Sequence, residues 1–313
     1  MKLLGYFIRR LLQMIPVLIG ITLIAFIFIK LLPGDPLTIM TAGKATPEQV
    51  EKMKHRLGLD QPLPVQYGLF LLNAVQGDLG NSITKKTEVT QLIGERIQVT
   101  LFLVVYGSLL GLLITFPLAV ISAMNPDRTV DHAIRIGNML FFGMPSFWLG
   151  LLFMLFFGLY LKMFPISGWG EGFFGHMRSL FLPALVIGLG LAPMWIQSLR
   201  SSMLDIFQAE FIEVARAKGL SPIRVLLKHV LRNALIPTIT IIAVNLGWLM
   251  GGEVVVETVF SIPGLGLLLV QSVFTRDYPT IQALTLWFGI IVMMVNLLAD
   301  LSYAMIDPRI TYQ

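Results

Sequence analysis

The chain has no cysteine and only four histidines among its 313 residues. Disulfides, thiolate metal sites and cysteine nucleophiles are therefore excluded, and the redox compartment leaves no trace in the sequence. His55, His132, His176 and His229 fall in four separate segments with no H-E-x-x-H spacing, so no metal site is expected within the chain. No G-x-x-x-x-G-K-[ST] phosphate loop occurs, and the nearest Lys-Thr pair, Lys86-Thr87, has no glycine before it. ATP hydrolysis by this chain is excluded on that ground, and the lack of a G-x-S-x-G elbow leaves no hydrolase nucleophile to name. Charge is scarce as well: 13% of residues are charged, against about 25% in ordinary soluble domains.

What is abundant is apolar. The apolar fraction is 56% and the mean hydropathy +0.79. Six stretches reach the roughly 20 apolar residues needed to cross hydrocarbon: about 11–32, 98–124, 136–164, 180–198, 234–257 and 281–305. The chain reads as an all-α polytopic membrane protein. The net charge of +5 therefore bears on topology, not on nucleic acid. With the N-terminus inside, twelve basic residues fall on the cytoplasmic side: Lys2, Arg9, Arg10, Arg128, Arg135, Arg200, Arg216, Lys218, Arg224, Lys228, Arg232 and Arg309. The short outer loops hold only Lys162, Arg178 and Arg276. Both termini are accordingly expected in the cytoplasm. The first stretch follows Lys2, Arg9 and Arg10 as a leader peptide would, yet it outruns a leader's apolar region and meets Leu32-Pro33-Gly34-Asp35-Pro36 instead of a small-residue cleavage site. It is expected to remain as a span. The third stretch contains Pro145 just after Gly143 and Met144, which predicts strong tilt or a break near Met144.

Three domains follow: residues 1–32 as cytoplasmic N-terminus and first span, 33–97 as a small helical extracytoplasmic domain, and 98–313 as a five-helix core. In the second, Thr46-Pro47-Glu48-Gln49 carries an N-cap hydroxyl, a first-turn proline and a Gln three residues on, with Gly58 as a stop. Val65, Leu69, Leu72 and Val75 recur at helical spacing up to Gly77. Val89, Leu92, Ile93 and Ile97 do so after Thr87, running into the second span.

Between the fourth and fifth spans, residues 199–233 form a patterned loop. Met203, Phe207, Phe211 and Val214 make one stripe at i, i+4, i+8 and i+11, with Asp205, Glu210, Glu213 and Arg216 largely elsewhere on the wheel. Gly219 ends that helix. Ser221-Pro222 offers an N-cap and first-turn proline for a second one carrying Val225, Leu226, His229 and Val230. Such a helix-turn-helix fits a groove on a soluble partner, and it equally fits anionic lipid or nucleic acid through Arg216, Lys218, Arg224 and Lys228.

Ionisable groups within the spans are few, as their cost requires. Asn245, Glu253 and Glu257 lie at i, i+8 and i+12 of the fifth span, roughly on one face, with Gly247, Gly251 and Gly252 between them. This face could border a translocation path near its outer mouth. It fits interfacial placement equally well, with Glu257 capping the turn into Ser261-Ile262-Pro263-Gly264. Asn296 and Asp300 read as interhelical hydrogen-bonding groups, and the 16 methionines, scattered over several spans, read as packing.

The loop also carries a family resemblance. Glu213-x-Ala215-x-x-x-Gly219 resembles the EAA loop of bacterial ATP-binding-cassette (ABC) importers. The string Ala215-Arg216-Ala217-Lys218-Gly219-Leu220, with Lys228-His229 and Leu231-Arg232-Asn233-Ala234, resembles the dipeptide, oligopeptide and nickel permease branch. Leu57-Gly58-Leu59-Asp60-Gln61-Pro62, Gly77-Asp78-Leu79-Gly80, Pro263-Gly264-Leu265-Gly266, Arg276-Asp277-Tyr278-Pro279 and Asp307-Pro308-Arg309 extend the likeness along almost the whole chain, and the outer domain is similar to that of the first of two paired permeases. One departure is plain: where the general loop pattern has proline this chain has Arg232, and its next proline is Pro237. The resemblance implies a non-catalytic permease in the inner membrane of a bacterium or archaeon, importing di- or oligopeptides, or alternatively nickel, glutathione or another small solute. It implies a second permease, two cytosolic ATPase subunits or domains that bind ATP and Mg, an extracytoplasmic solute-binding protein and surrounding lipid as partners, with no cofactor in this chain and no nucleic acid. It also implies that Glu210, Glu213, Ala215, Arg216, Ala217, Lys218 and Gly219 form the ATPase-coupling element. An ion-coupled carrier or channel, the rival class, would need a coupling-ion site or repeated spans, and neither is seen.

Overall fold

A computed structural model describes residues 2–31, 46–56 and 60–306, and its long helices follow from apolar runs closed by turns. In chain order they are α1 (Lys2–Leu31), α2 (Pro47–Arg56), α3 (Leu63–Val75), α4 (Val89–Met124), α5 (Thr129–Gly143), α6 (Ser146–Phe153, continued by a π-wound turn Met154–Tyr160) and α7 (Gly172–Ser179). Then come α8 (Phe181–Phe207), α9 (Glu210–Ala217), α10 (Pro222–Arg224, continued by a π-wound Val225–Leu231), α11 (Arg232–Val259), α12 (Leu265–Thr275) and α13 (Tyr278–Ile306). In hydrocarbon every backbone N–H and C=O must be paired within its own segment, and a helix does that.

Five of these are long and apolar enough to cross a membrane, and α5 with α6 makes a sixth only as a pair bent by 104°. The third predicted span is thus broken, not tilted. Met144 is extended (φ −84°, ψ 123°) and Pro145 follows at φ −61°, ψ 136°. A residue before proline is pushed out of the α region, and the proline lacks the N–H that would carry the ladder on. Pro16, Pro117, Pro193 and Pro237 lie inside α1, α4, α8 and α11 without ending them.

Two compact units divide the chain, with boundaries inside α4 and α13. The first gathers the residues up to Thr100 with Pro263–Met293. Its α2 opens with the reciprocal box expected from sequence: Gln49 N–H donates to Thr46 Oγ1 (3.3 Å) and Thr46 N–H to Gln49 Oε1 (3.0 Å). Gly34 and Gly58 lie outside the described residues, as do Asp307, Pro308 and Arg309. Helix α3 lies against α1. Tyr67 Oη donates to the Ile19 carbonyl (2.7 Å) and stands 2.9 Å from Thr22 Oγ1. Lys30 Nζ donates to Gln66 Oε1 (2.7 Å), and the Tyr67 ring packs 5.5 Å from that of Phe26. Asp277, buried ahead of α13, accepts from Ile83 N–H (3.0 Å), Thr84 Oγ1 (2.9 Å) and the Ser82 hydroxyl, binding the turn before α4 to the start of the last long helix.

The second unit, Leu101–Ile262 with the residues from Met294, is built around α8. Two thirds of its apolar window is buried (67%). Helix α11 runs along α8, and α5 and α6 pack on it as well. Helix α8 also meets α4 closely: a Cβ on Gly188 would stand 2.8 Å from Gly111 N and 3.1 Å from Gly107 O. Gly107 and Gly111 are four apart on one face, the small-residue spacing that brings spans into backbone contact. Replacing Gly188 with Ala should therefore cost on the order of 1–3 kcal/mol through overpacking. Gly190→Ala, with nothing within 4 Å of its Cβ, should be neutral or slightly stabilising. Parallel thermal unfolding of the two purified variants distinguishes these outcomes.

Candidate functional site

The loop after α8 turns at Gln208 and Ala209, where Ala209 is extended (φ −73°, ψ 139°), and then winds into α9. That step splits the stripe expected from sequence. Met203 is fully buried and Phe207 half-buried at the end of α8, whereas Phe211 and Val214 on α9 are exposed. The buried side of α9 is instead Ile212 (0% exposed) with Ala215. Both enter a cluster with Ala119 and Ala123 of α4, Ile196, Leu199 and Met203 of α8, and Val225 and Val230 of the following π turn. Burying the Ile212 side chain contributes about 1.5–3 kcal/mol, enough to hold a two-turn helix that would not form alone.

The end of α9 is set by Gly219. At φ +77° it is left-handed, its N–H donates to Arg216 O (2.9 Å), and Leu220 N–H reaches Ala215 O (3.4 Å). These are the two bonds of a Schellman cap. Pro222 starts the next helix as expected, but the Ser221 hydroxyl makes no cap bond. Of that helix's expected residues, Val225 and Val230 are buried and Leu226 and His229 half-buried. The result is a short rod held by two apolar side chains, with Glu210, Phe211, Glu213, Val214, Arg216, Ala217 and Lys218 all exposed. Beside it opens a largely apolar groove of about 520 Å³, lined in part by Met124, Leu204, Phe207, Arg216 and Leu226.

Sequence reasoning missed the anchor of this region. Arg200, near the end of α8, donates through Nη2 to Asp131 Oδ2 (2.6 Å) and through Nε to Asp131 Oδ1 (2.8 Å) and Ser122 Oγ (3.0 Å). Asp131, in the first turn of α5, is 0% exposed and also accepts from Ser122 Oγ and from Asp127 N–H (3.0 Å). Three helix ends, of α4, α5 and α8, meet on one carboxylate. An arginine closing one apolar run and an aspartate opening another were the available signal, but arginines counted only for topology could not show it.

The second candidate set divides. Glu253 (1% exposed) and Glu257 (0%) are buried in α11, and neither Glu253 oxygen has a hydrogen-bond partner among the described residues. Asn245 is half-buried and donates to Ile241 O (2.7 Å). The turn after Glu257 is capped by backbone, through Ile262 N–H to Glu257 O (2.9 Å). Gly247 gives way to the Asn296 side chain, whose Oδ1 would lie 2.7 Å from a Cβ there. The placements of Gly251, Gly252 and the Asp300 side chain are outside the described residues. Among the described residues no cluster of three or more His, Cys, Asp or Glu could hold a metal ion.

Known proteins agree with this architecture. The profile of the binding-protein-dependent transport system inner membrane component matches residues 115–312, and the N-terminal profile of membrane components of such systems matches residues 3–104. The oligopeptide transport system permease protein AppB of Bacillus subtilis is 41% identical over 98% of this chain and 99% of its own length. The glutathione transport system permease protein GsiC of Pectobacterium atrosepticum is 40% identical over 99% and 100%. Among solved structures, the inward-facing MetNI methionine ABC transporter superposes with a TM-score of 0.59 at 18% identity, over 69% of this chain and 97% of that one, a likeness of fold alone. The chain belongs to the family of binding-protein-dependent transport system inner membrane components. It is a multi-pass inner-membrane permease subunit of an ABC importer, acting within a multi-subunit complex whose ATPase activity resides in separate subunits.

Breaking the Asp131–Arg200 pair from one side should be severe. Asp131→Leu or Arg200→Met alone is expected to cost about 3–5 kcal/mol, and the double variant to recover most of that loss, because the single changes strand a buried charge. Denaturant unfolding of the purified protein in one detergent reads both.

Proposed function

We propose that this permease imports di- or oligopeptides, pairing with a second, related permease, two cytosolic ATPase subunits or domains and an extracytoplasmic solute-binding protein. Two relatives whose names specify oligopeptide and glutathione transport support a peptide-class substrate. Both termini are cytoplasmic in this reading, on the distribution of Lys and Arg. Residues 33–97 are an extracytoplasmic domain and 98–313 the core.

The observation that carries the mechanism is the exposed, Schellman-capped rod α9. In the proposal, Glu210, Glu213, Ala215, Arg216, Ala217, Lys218 and Gly219 form the coupling element: its exposed members, with Phe211 and Val214, meet the ATPase, while the buried Ala215, with Ile212, ties it to the spans. ATP-driven closure of the ATPases moves α9, and because α9 shares a packed cluster with α4 and α8, the motion passes to the spans and shifts the cavity between outward and inward exposure. Asn245, Glu253 and Glu257 border the path.

Gly219→Pro is expected to abolish substrate-stimulated ATPase activity of the reconstituted complex while leaving membrane insertion intact, since proline holds φ near −65° where this turn needs +77°. Full stimulation in that variant would remove α9 as the coupling element. Glu257→Gln is expected to reduce uptake more than assembly; unchanged uptake, assembly and coupled ATPase would remove it from the path.

A further inference from the structure

Helix α3 was expected to belong to a polar outer domain, but its outward side is greasy. It meets α1 through Tyr67 and Gln66. The opposite face, at steps of about 100° per residue, presents Val65, Leu69, Leu72 and Val75, all exposed, with Leu72 at 60% and Val75 at 88%. No residue from Leu63 to Val75 is charged, and none is buried. In a helix wetted on its outer side, that face would be polar.

The contact with α1 fixes the level at which this face lies. The Tyr67 ring packs tilted beside Phe26 and its hydroxyl bonds to Ile19 and Thr22, while Gln66 holds Lys30. These contacts run from Ile19 to Lys30, about 18 to 1.5 Å before the end of α1 at Leu31 at 1.5 Å per residue. They fall within the apolar stretch Arg9–Leu31 of α1, from its middle to its end, so a helix held there lies beside the acyl chains of one leaflet and reaches toward its surface, where interfacial helices bury an apolar side. At the same level α1 itself exposes Ile24, Ile27 and Phe28, so the apolar band of the span continues onto α3.

We infer that α3 is an interfacial helix immersed in the outer leaflet, with Leu69, Leu72 and Val75 against lipid acyl chains. It steadies the end of α1, a helix with little burial of its own, and holds the outer domain to the membrane surface. The leaflet assignment rests on the proposed orientation; the lipid contact does not.

The absence of cysteine makes the test direct. Leu72→Cys, Val75→Cys and, on α2, Glu51→Cys each introduce a unique thiol for an environment-sensitive fluorophore. The complete complex, its other subunits freed of cysteine, is reconstituted in phosphatidylcholine–phosphatidylglycerol vesicles with and without lipids brominated on the upper acyl chain. Blue-shifted emission at positions 72 and 75, quenched by about half or more in brominated vesicles, with Glu51→Cys unquenched, is expected for an immersed face. Water-like emission at 72 and 75 overturns the inference, and so does blue-shifted emission that bromine leaves unquenched, which would mean cover by a protein partner. A membrane-impermeant thiol reagent applied to intact cells tests the side separately: Glu51→Cys should react from outside, and reaction only after permeabilisation would overturn the leaflet and the orientation while leaving the quenching result standing.

Discussion

One carboxylate organises the end of the helix bundle that leads into the coupling loop. Asp131 has no exposure of its own, and it is satisfied by the guanidinium of Arg200, the Ser122 hydroxyl and the Asp127 amide. Charges so placed are stable only together, because either one alone would be a stranded ion. Arg200 lies on the same helix as Met203, which shares a buried cluster with Ile212, so the pair that fixes α8 against α4 and α5 also steadies the platform for α9. In the proposed mechanism, a push on α9 meets this packed base and is passed to the spans.

The second constraint is the backbone's need for partners away from water. It makes every long element a helix, and it explains the unequal fates of the prolines. Pro193 and Pro237 lie within long helices that pack along one another, whereas Met144-Pro145 marks a complete break between α5 and α6. The break turns one long apolar run into two short helices, each of which lies on α8.

Lipid and protein compete for the apolar surface that remains. Helix α8 spends its surface on neighbours, with Gly188 admitting the backbone of α4, while α1 and α3 leave theirs outward. The same residue types are thus buried along α8 and exposed along α1 and α3. What separates them is the presence of a glycine seam on one side and of Tyr67 and Gln66 as polar clasps on the other.

Local signals were legible wherever a residue and its neighbours settle the geometry. The number and placement of the apolar runs, the Thr46–Gln49 box, the left-handed Gly219 and the proline start at Pro222 follow from composition and short-range chemistry. The motif around Glu213 and Gly219 pointed to the family because its spacing is itself a local property. Periodicity could not show that the chain steps out of helix at Ala209, which turns Ile212 inward and leaves Phe211 outward; that rotation is decided by the cluster α9 packs into. Nor could it choose among tilt, tolerance and breakage at Pro145, or pair Asp131 with Arg200 across 69 positions of sequence. Those outcomes depend on which helices become neighbours, and only the tertiary structure decides that.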